Sequence, residues 1–188
     1  ITHFSIAKYF LENKVHVLLE KPMTKLVSEA RKLNVIAKKN RCILQIGHLE
    51  QFNPAIRKLK CQLKAPEFIE VHRLCEFNPR ATDVDVVLDL MIHDIDIVLS
   101  LIDKNIKKIS VSGKKVITNL IDIANVRIEF EDNVVANLTA SRISTKNERK
   151  MRIFLKNAYY SVDFMSNELK RLVKSKNNSF KTTSFQFK

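Results

Sequence analysis

Between Val84 and Ile102 the chain reads VDVVLDLMIHDIDIVLSLI, its most apolar run, interrupted by Asp85, Asp89, His93, Asp96 and Ser100. Those five lie four, four, three and four residues apart. On a helix, positions three and four apart share a face, so this spacing stacks them along one stripe. Val, Leu, Ile and Met occupy the other faces. The pattern predicts a helix buried on most sides, with an acidic stripe and one histidine lining a cavity. An isolated DxxxH also has a bland reading of equal weight, a satisfied polar side chain on a surface helix. The narrowness of the stripe weighs against it. A bilayer-spanning reading fails on energy, because several central carboxylates would cost about 2.5–3.5 kcal/mol each to insert.

Composition narrows the alternatives. A chain of 188 residues is long enough for one good core or two modest domains. The net charge of +13 invites a nucleic-acid partner. The lysines, however, are scattered among Ile and Asn, the usage of an AT-rich genome, and the Phe residues fall in strand-like patterns rather than alternating with Arg. No nucleic-acid partner and no membrane partner is expected. Cys42, Cys61 and Cys75 show no metal-ligand spacing, so no metal is expected, and they fit reduced thiols in a cytoplasmic protein. The opening residues ITHFSIAKYF carry no signal-peptide pattern. There are only two glycines, Gly47 and Gly113, and nothing reads GxGxxG.

Read in order, the first fifty residues alternate helix, strand, helix, strand. Ile6, Ala7, Phe10 and Leu11 share a helical face. Residues 15–19, VHVLL, form a buried-strand run ended by Glu20-Lys21-Pro22. Thr24 is the expected N-cap of a helix over Lys25 to Lys39, with Leu26, Ala30, Leu33 and Ala37 facing inward. Residues 42–46, CILQI, form a second buried strand ended by Gly47-His48. Ligands of parallel sheets bind outside the carboxyl ends of strands, where Lys21 and His48 lie; on position alone, solvated loop residues are the simpler reading. Asn53-Pro54 caps a helix to about Leu63. Residues 67–77 form a strand whose inward face, Ile69, Val71, Cys75 and Phe77, is interrupted by Arg73. A loop over 78–83 leads into the central helix. Period-two strands follow at 108–116, 123–130, 134–143, 151–155, 159–164 and 169–173, with hairpins at Glu131-Asp132-Asn133 and Lys156-Asn157. The tail from Ser175 shows no clean ending.

The segments THFSIA, VHVLLEKPMT, GHLEQFNPA and TDVDVVLDLMIHDIDIV, in this order, resemble the Gfo/Idh/MocA family of nicotinamide-dependent oxidoreductases. Within it, the chain is most similar to members that oxidise a ring hydroxyl of a sugar nucleotide to a ketone. The resemblance implies an α/β (α+β) fold. Residues 1–49 would be the C-terminal remnant of a Rossmann dinucleotide-binding domain. Residues 50–188 would be an open, mainly antiparallel β-sheet domain with helices on one face, for substrate and oligomerisation. It implies catalytic roles for Lys21, His93 and Asp89, and NAD or NADP contacts from Thr2, His3, Glu20, Lys21, Pro22 and His48. Asn53, Asp89 and His93 would bind the sugar or sugar-nucleotide substrate. His93 would accept the hydroxyl proton, a task suited to an imidazole near neutral pH. Lys21 would stabilise the developing negative oxygen. Where relatives commonly read ERFNP, this chain has Gln51 in place of the arginine. The family's glycine turn and its closing helix and strand have no counterpart here, which implies a piece of a longer enzyme or a truncated reading frame. The alternative is a non-enzymatic remnant forming a homo-oligomer (dimer or tetramer) through the large sheet, supported if Val126 and Ile128 lie on an uncovered face.

Overall fold

A computed structural model describes residues 2–79, 84–175, 177 and 179–187. The loop expected over 78–83 lies outside the described residues beyond Pro79, as do Thr82 and Asp83 of the last family-like segment. The chain divides into two compact units, Ile1–Leu49 and Glu50–Lys188.

In the first unit, α1 (His3–Glu12) and α2 (Val27–Lys39) accompany two short parallel strands, β1 (Val17–Leu19) and β2 (Leu44–Ile46). The core is small: Ala7 and Leu11 from α1, Leu19 from β1, Leu33 and Ala37 from α2. Ile6 and Phe10, expected inward, are exposed because α1 buries only a narrow stripe, Ala7 and Leu11, against α2 and β1. α2 starts later than expected. The buried Thr24 hydroxyl donates to the Leu26 carbonyl at 2.8 Å instead of capping a helix. Leu26 itself is the N-cap and exposed, and the Glu29 carboxylate accepts its N–H at 3.3 Å.

The second unit is built on one eight-stranded sheet. Its strands are β3 (Phe68–Leu74), β4 (Ile106–Lys114), β5 (Ile123–Phe130), β6 (Val135–Ser141), β7 (Glu148–Leu155), β8 (Ala158–Asp163), β9 (Glu168–Lys174) and β10 (Phe180–Gln186). Their spatial order is β10-β9-β8-β7-β3-β6-β5-β4; β3 and β6 are parallel and every other neighbouring pair is antiparallel. β10 lies in the tail that showed no clean ending; its hydroxyl-rich, Phe-containing sequence pairs residue for residue with β9. The turn between β5 and β6 places Asp132 and Asn133 at φ 56° and 59°, a left-handed conformation that these two residue types tolerate.

Alternation sorts the sheet into two faces. Ile69, Val71, Met151, Ile153, Leu138 and Tyr160 turn into the core with residues of α3 (Pro54–Gln62) and α4 (Ile92–Leu101). The other face carries polar pairs: Arg127 donates to Glu129 at 3.0 Å, Arg152 to Glu70 at 2.9 Å, and His72 lies 3.4 Å from Glu148. Val126 and Ile128 are 7% and 4% exposed and belong to the core cluster, so they do not furnish an apolar open face. Every residue of the edge strand β4 is exposed.

The central helix is not one uniform α-helix. Asp85 caps it, accepting the N–H groups of Val87 and Leu88 at 3.0 Å each. The first turn, Val87–Met91, is wound as a wider π-helix, and α4 continues from Ile92. Nor is the acidic stripe the buried side. Asp89, His93 and Asp96 are half-buried and Ser100 is exposed, its hydroxyl donating to the Ile97 carbonyl at 2.7 Å. The buried acid is Asp94, which falls off the stripe, between Met91, Ile97 and Val98 on the face packed against the sheet.

Candidate active-site residues

In the first unit, the parallel register Leu19↔Ile46 sets the carboxyl ends of β1 and β2 side by side, and the Gly47 N–H donates to the Leu19 carbonyl at 2.8 Å. Glu20-Lys21-Pro22 and Gly47-His48 therefore leave the sheet together. The Lys21–Pro22 peptide is cis. His3, at the start of α1, places Nδ1 2.8 Å from the Pro22 carbonyl. A carbonyl only accepts, so Nδ1 carries the hydrogen and donates. The Glu20 carboxylate lies across Gly47: a Cβ there would stand 3.2 Å from both carboxylate oxygens, closer than real Cβ contacts usually come. Lys21, Pro22 and His48 are half-buried, while Thr2 and Glu20 are exposed. The Thr2 carbonyl receives the Ser5 hydroxyl at 3.0 Å. The six residues expected to line a cofactor thus gather at one end of one small unit, at the strand ends that favour ligand binding.

In the second unit, Asp89 and His93 stand one turn apart where the π-turn passes into α4. Asn53 does two things. Its side-chain oxygen accepts the Ala55 N–H at 2.9 Å as the N-cap of α3, and its amide nitrogen lies 3.5 Å from the Asn167 side-chain oxygen. The capping role was readable from Asn-Pro; the amide nitrogen keeps a donor hydrogen for a substrate contact.

Beside this pair lies a constellation that the sequence reading missed. Arg73 is 3% exposed and Asp94 2% exposed. Arg73 donates Nε and Nη2 to the two carboxylate oxygens of Asp94 at 2.8 and 2.7 Å. Its Nη1 lies 3.4 Å from Glu50, and its guanidinium stacks 5.5 Å from the centre of the Phe164 ring. Burial opposes the Arg73 charge, but Asp94 and Glu50 outweigh it and raise the guanidinium above its ordinary value. Burial also pushes the Asp94 carboxyl upward, against the pull of Arg73. Two residues along the helix, Gln51 donates to the carbonyl and the carboxylate of Asp96, and Lys60 donates to Gln51. The signal for Arg73 was present as a charge at an inward strand position. It reads as an interruption until a partner acid off the stripe is recognised.

The surroundings of Asp89 are electrostatically mixed. Burial, and then Asp89 itself, push the Cys75 thiol up, while Arg149, Arg142 and Arg73 pull it down. Arg142 is buried and donates to the Val84 carbonyl at 2.6 Å. Arg149 is directly opposite Arg73 across β3 and β7, on the same face of the sheet, and is exposed. Among the described residues, no group of three His, Cys, Asp or Glu side chains is placed to hold a metal ion. No helix of the described residues is long and apolar enough to cross a membrane.

Two stretches of the chain match known protein families. Residues 1–48 match the oxidoreductase family with an NAD-binding Rossmann fold, and residues 57–161 match the GFO/IDH/MocA C-terminal domain. The chain is 39% identical over 169 residues to UDP-N-acetylglucosamine 3-dehydrogenase of Acidithiobacillus ferrooxidans, covering 89% of this chain and 54% of that protein. The solved structure of that organism's UDP-N-acetylglucosamine 3-dehydrogenase GnnA superposes with a TM-score of 0.90 and 36% identity, over 100% of this chain and 61% of the other. An inositol dehydrogenase homologue from Azotobacter vinelandii, solved with NADH and myo-inositol, shares the fold at a TM-score of 0.88 and 19% identity, over 98% of this chain and 53% of that one. The chain spans about half the length of the curated relatives it matches. Two matched segments in the family's order, on the fold of the family's solved members, make this chain a member of the Gfo/Idh/MocA oxidoreductase family.

Proposed function

We propose that the chain serves an NAD- or NADP-dependent dehydrogenase that oxidises a ring hydroxyl of a sugar nucleotide. The observation that carries this reading is the Asp89–His93 pair, half-buried and one turn apart, on a helix anchored from both sides in a family of oxidoreductases. His3, Lys21, Pro22 and His48 suit the nicotinamide end of the cofactor: the last three follow the carboxyl ends of two parallel strands, and His3, at the start of α1, is oriented by the Pro22 carbonyl. When bound, the cofactor supplies the hydride acceptor. The remaining work falls to the chain. His93 accepts the proton of the substrate hydroxyl. Asp89 orients the imidazole or holds a sugar hydroxyl. Lys21 stabilises negative charge on the reacting oxygen. Glu20 and Thr2 support the cofactor side, and the Asn53 amide nitrogen donates to the substrate. The similarity to a UDP-N-acetylglucosamine 3-dehydrogenase favours a nucleotide-linked amino sugar over a free sugar. The exposed Arg149 on the helix side of the sheet is a suitable cation for its diphosphate. Three free cysteines suit the cytoplasm.

The test has two arms. NADH fluorescence is followed on adding the chain; absence of binding at millimolar cofactor removes the enzyme reading for the chain as it stands. NADH formation from UDP-N-acetylglucosamine is then measured for the protein that carries the chain. His93→Ala and Lys21→Ala should each lower turnover by about 10²–10⁴-fold without loss of fold. Turnover at the wild-type level in either variant refutes the role given to that residue.

A further inference from the structure

We propose that Arg73, with Asp94 and Glu50, is a positioning element that aims His93 and Asp89, and that the charged pair as a whole adds little stability over an apolar pair in its place. The inference rests on the assignment of Asp89 and His93 as the working pair. Arg73 and Asp94 are almost inaccessible to solvent, among Ile69, Val71, Met91 and Ile97. Taking two charges out of water is expensive, and their attraction only about repays it. A well-packed apolar pair of similar volume is commonly as stable or more so. Stability alone therefore does not account for a charged pair here.

What the charged pair supplies, and an apolar pair does not, is direction. Arg73 engages both oxygens of Asp94 through two nitrogens of a planar fork, at 2.8 and 2.7 Å. That geometry admits one rotation and one height of Asp94 over β3. Apolar ridges packed into grooves accept a spread of crossing angles. Asp94 directly follows His93, so any turn of α4 about its axis that moves Asp94 carries His93 with it. The fork is itself held: Glu50 takes Nη1 from the side and the Phe164 ring lies against the guanidinium. A second anchor, Gln51 on Asp96, fixes the helix from another side, so the rotation is defined at two points. The π-turn at Val87–Met91 gives this control a purpose. A wider turn displaces Asp89 from its α-helical position relative to His93, so the pair meets correctly only if the helix below is held at one rotation.

The test uses the chain labelled on its histidine rings, of which there are five. In the Arg73→Met/Asp94→Leu double variant, the fold and the melting temperature should stay close to wild type. The His93 ring cross-peak should shift or broaden, while those of His3, His16 and His72 stay in place. Arg73→Lys, which keeps the charge but not the fork, should move the same peak in the same direction. In the protein that carries the chain, the double variant should lose at least tenfold in kcat with little change in KM for NAD. An unmoved His93 peak in the folded double variant overturns the proposal, and so does a double variant that cannot fold, since the pair would then be a stability element. The peak reads positioning whether or not His93 takes part in turnover. Failure of the dehydrogenase reading would appear instead as wild-type turnover in His93→Ala.

Discussion

The two units place their candidate residues by opposite means. In the first, Lys21 and His48 stand where they do because a strand has ended: the backbone register of two three-residue strands sets them, and His3 donates to the Pro22 carbonyl beside them. In the second, Asp89 and His93 sit within a helix whose orientation depends on a buried arginine on one side and a glutamine on the other. The first unit closes over Leu11, Leu19 and Leu33 with two alanines, whereas the second packs an eight-stranded sheet under its helices. Groups placed through a buried ionic fork are expected to be the more sensitive to loss of their supports.

That contrast can be broken by experiment, and the effects are expected to rank as follows. Arg73→Met alone should cost about 3–5 kcal/mol, because it leaves Asp94 buried without its partner; urea unfolding of the second unit reads this. A cost under about 1 kcal/mol would mean that Asp94 escapes to water or protonates at little expense. Leu33→Ala should cost the first unit about 2–5 kcal/mol. Because that core is small, hydrogen exchange should show α2 opening while the amides of β3 and β6 keep their protection; uniform loss of protection would show that the units unfold as one.

A smaller effect is expected at Asp122, a buried acid of the second unit. Its carboxylate accepts the N–H groups of Val116, Ile117 and Thr118 at 2.8, 2.9 and 2.9 Å and the Thr118 hydroxyl at 2.6 Å. Burial alone would raise its pKa, but these four donors hold it well below the ordinary carboxylate range. A lowered folded pKa contributes stability that is present above the unfolded value, about 4, and is lost as the pH falls from there toward the folded value. Asp122→Asn should cost about 1–3 kcal/mol at neutral pH and flatten the acid limb of the stability curve. An unchanged acid limb would place the titrating group elsewhere. Smallest of all, removing the exposed Lys8–Glu12 pair of α1 with Lys8→Ala should change stability by no more than about 0.5 kcal/mol.

Residue patterns made much of this legible, and the exceptions share a cause. Alternation located β3, β5, β6, β7 and β8, and Asn53-Pro54 located the start of α3. Thr24 failed as a cap because a buried hydroxyl took a backbone carbonyl two residues on, a choice that depends on what surrounds it. β10 stayed hidden because its sequence has no buried alternation; it is a strand because β9 offers it a partner. The polar stripe on the central helix was real as a pattern. Its members nevertheless do different things: Asp85 caps, Asp96 accepts from Gln51, Ser100 bonds its own helix, and Asp89 and His93 are the pair proposed for chemistry.

By itself the sequence determined the local terms: which segments are helical, which strands alternate, where the strand ends put Lys21 and His48, and that one helix carries Asp89 and His93. These follow from interactions within a few residues, and periodicity records them. Only the tertiary structure decided which acid on that helix is buried. Asp94 and Arg73 are twenty-one residues apart and on different elements. Their pairing depends on the depth at which a helix lies over a sheet, and no local pattern encodes that.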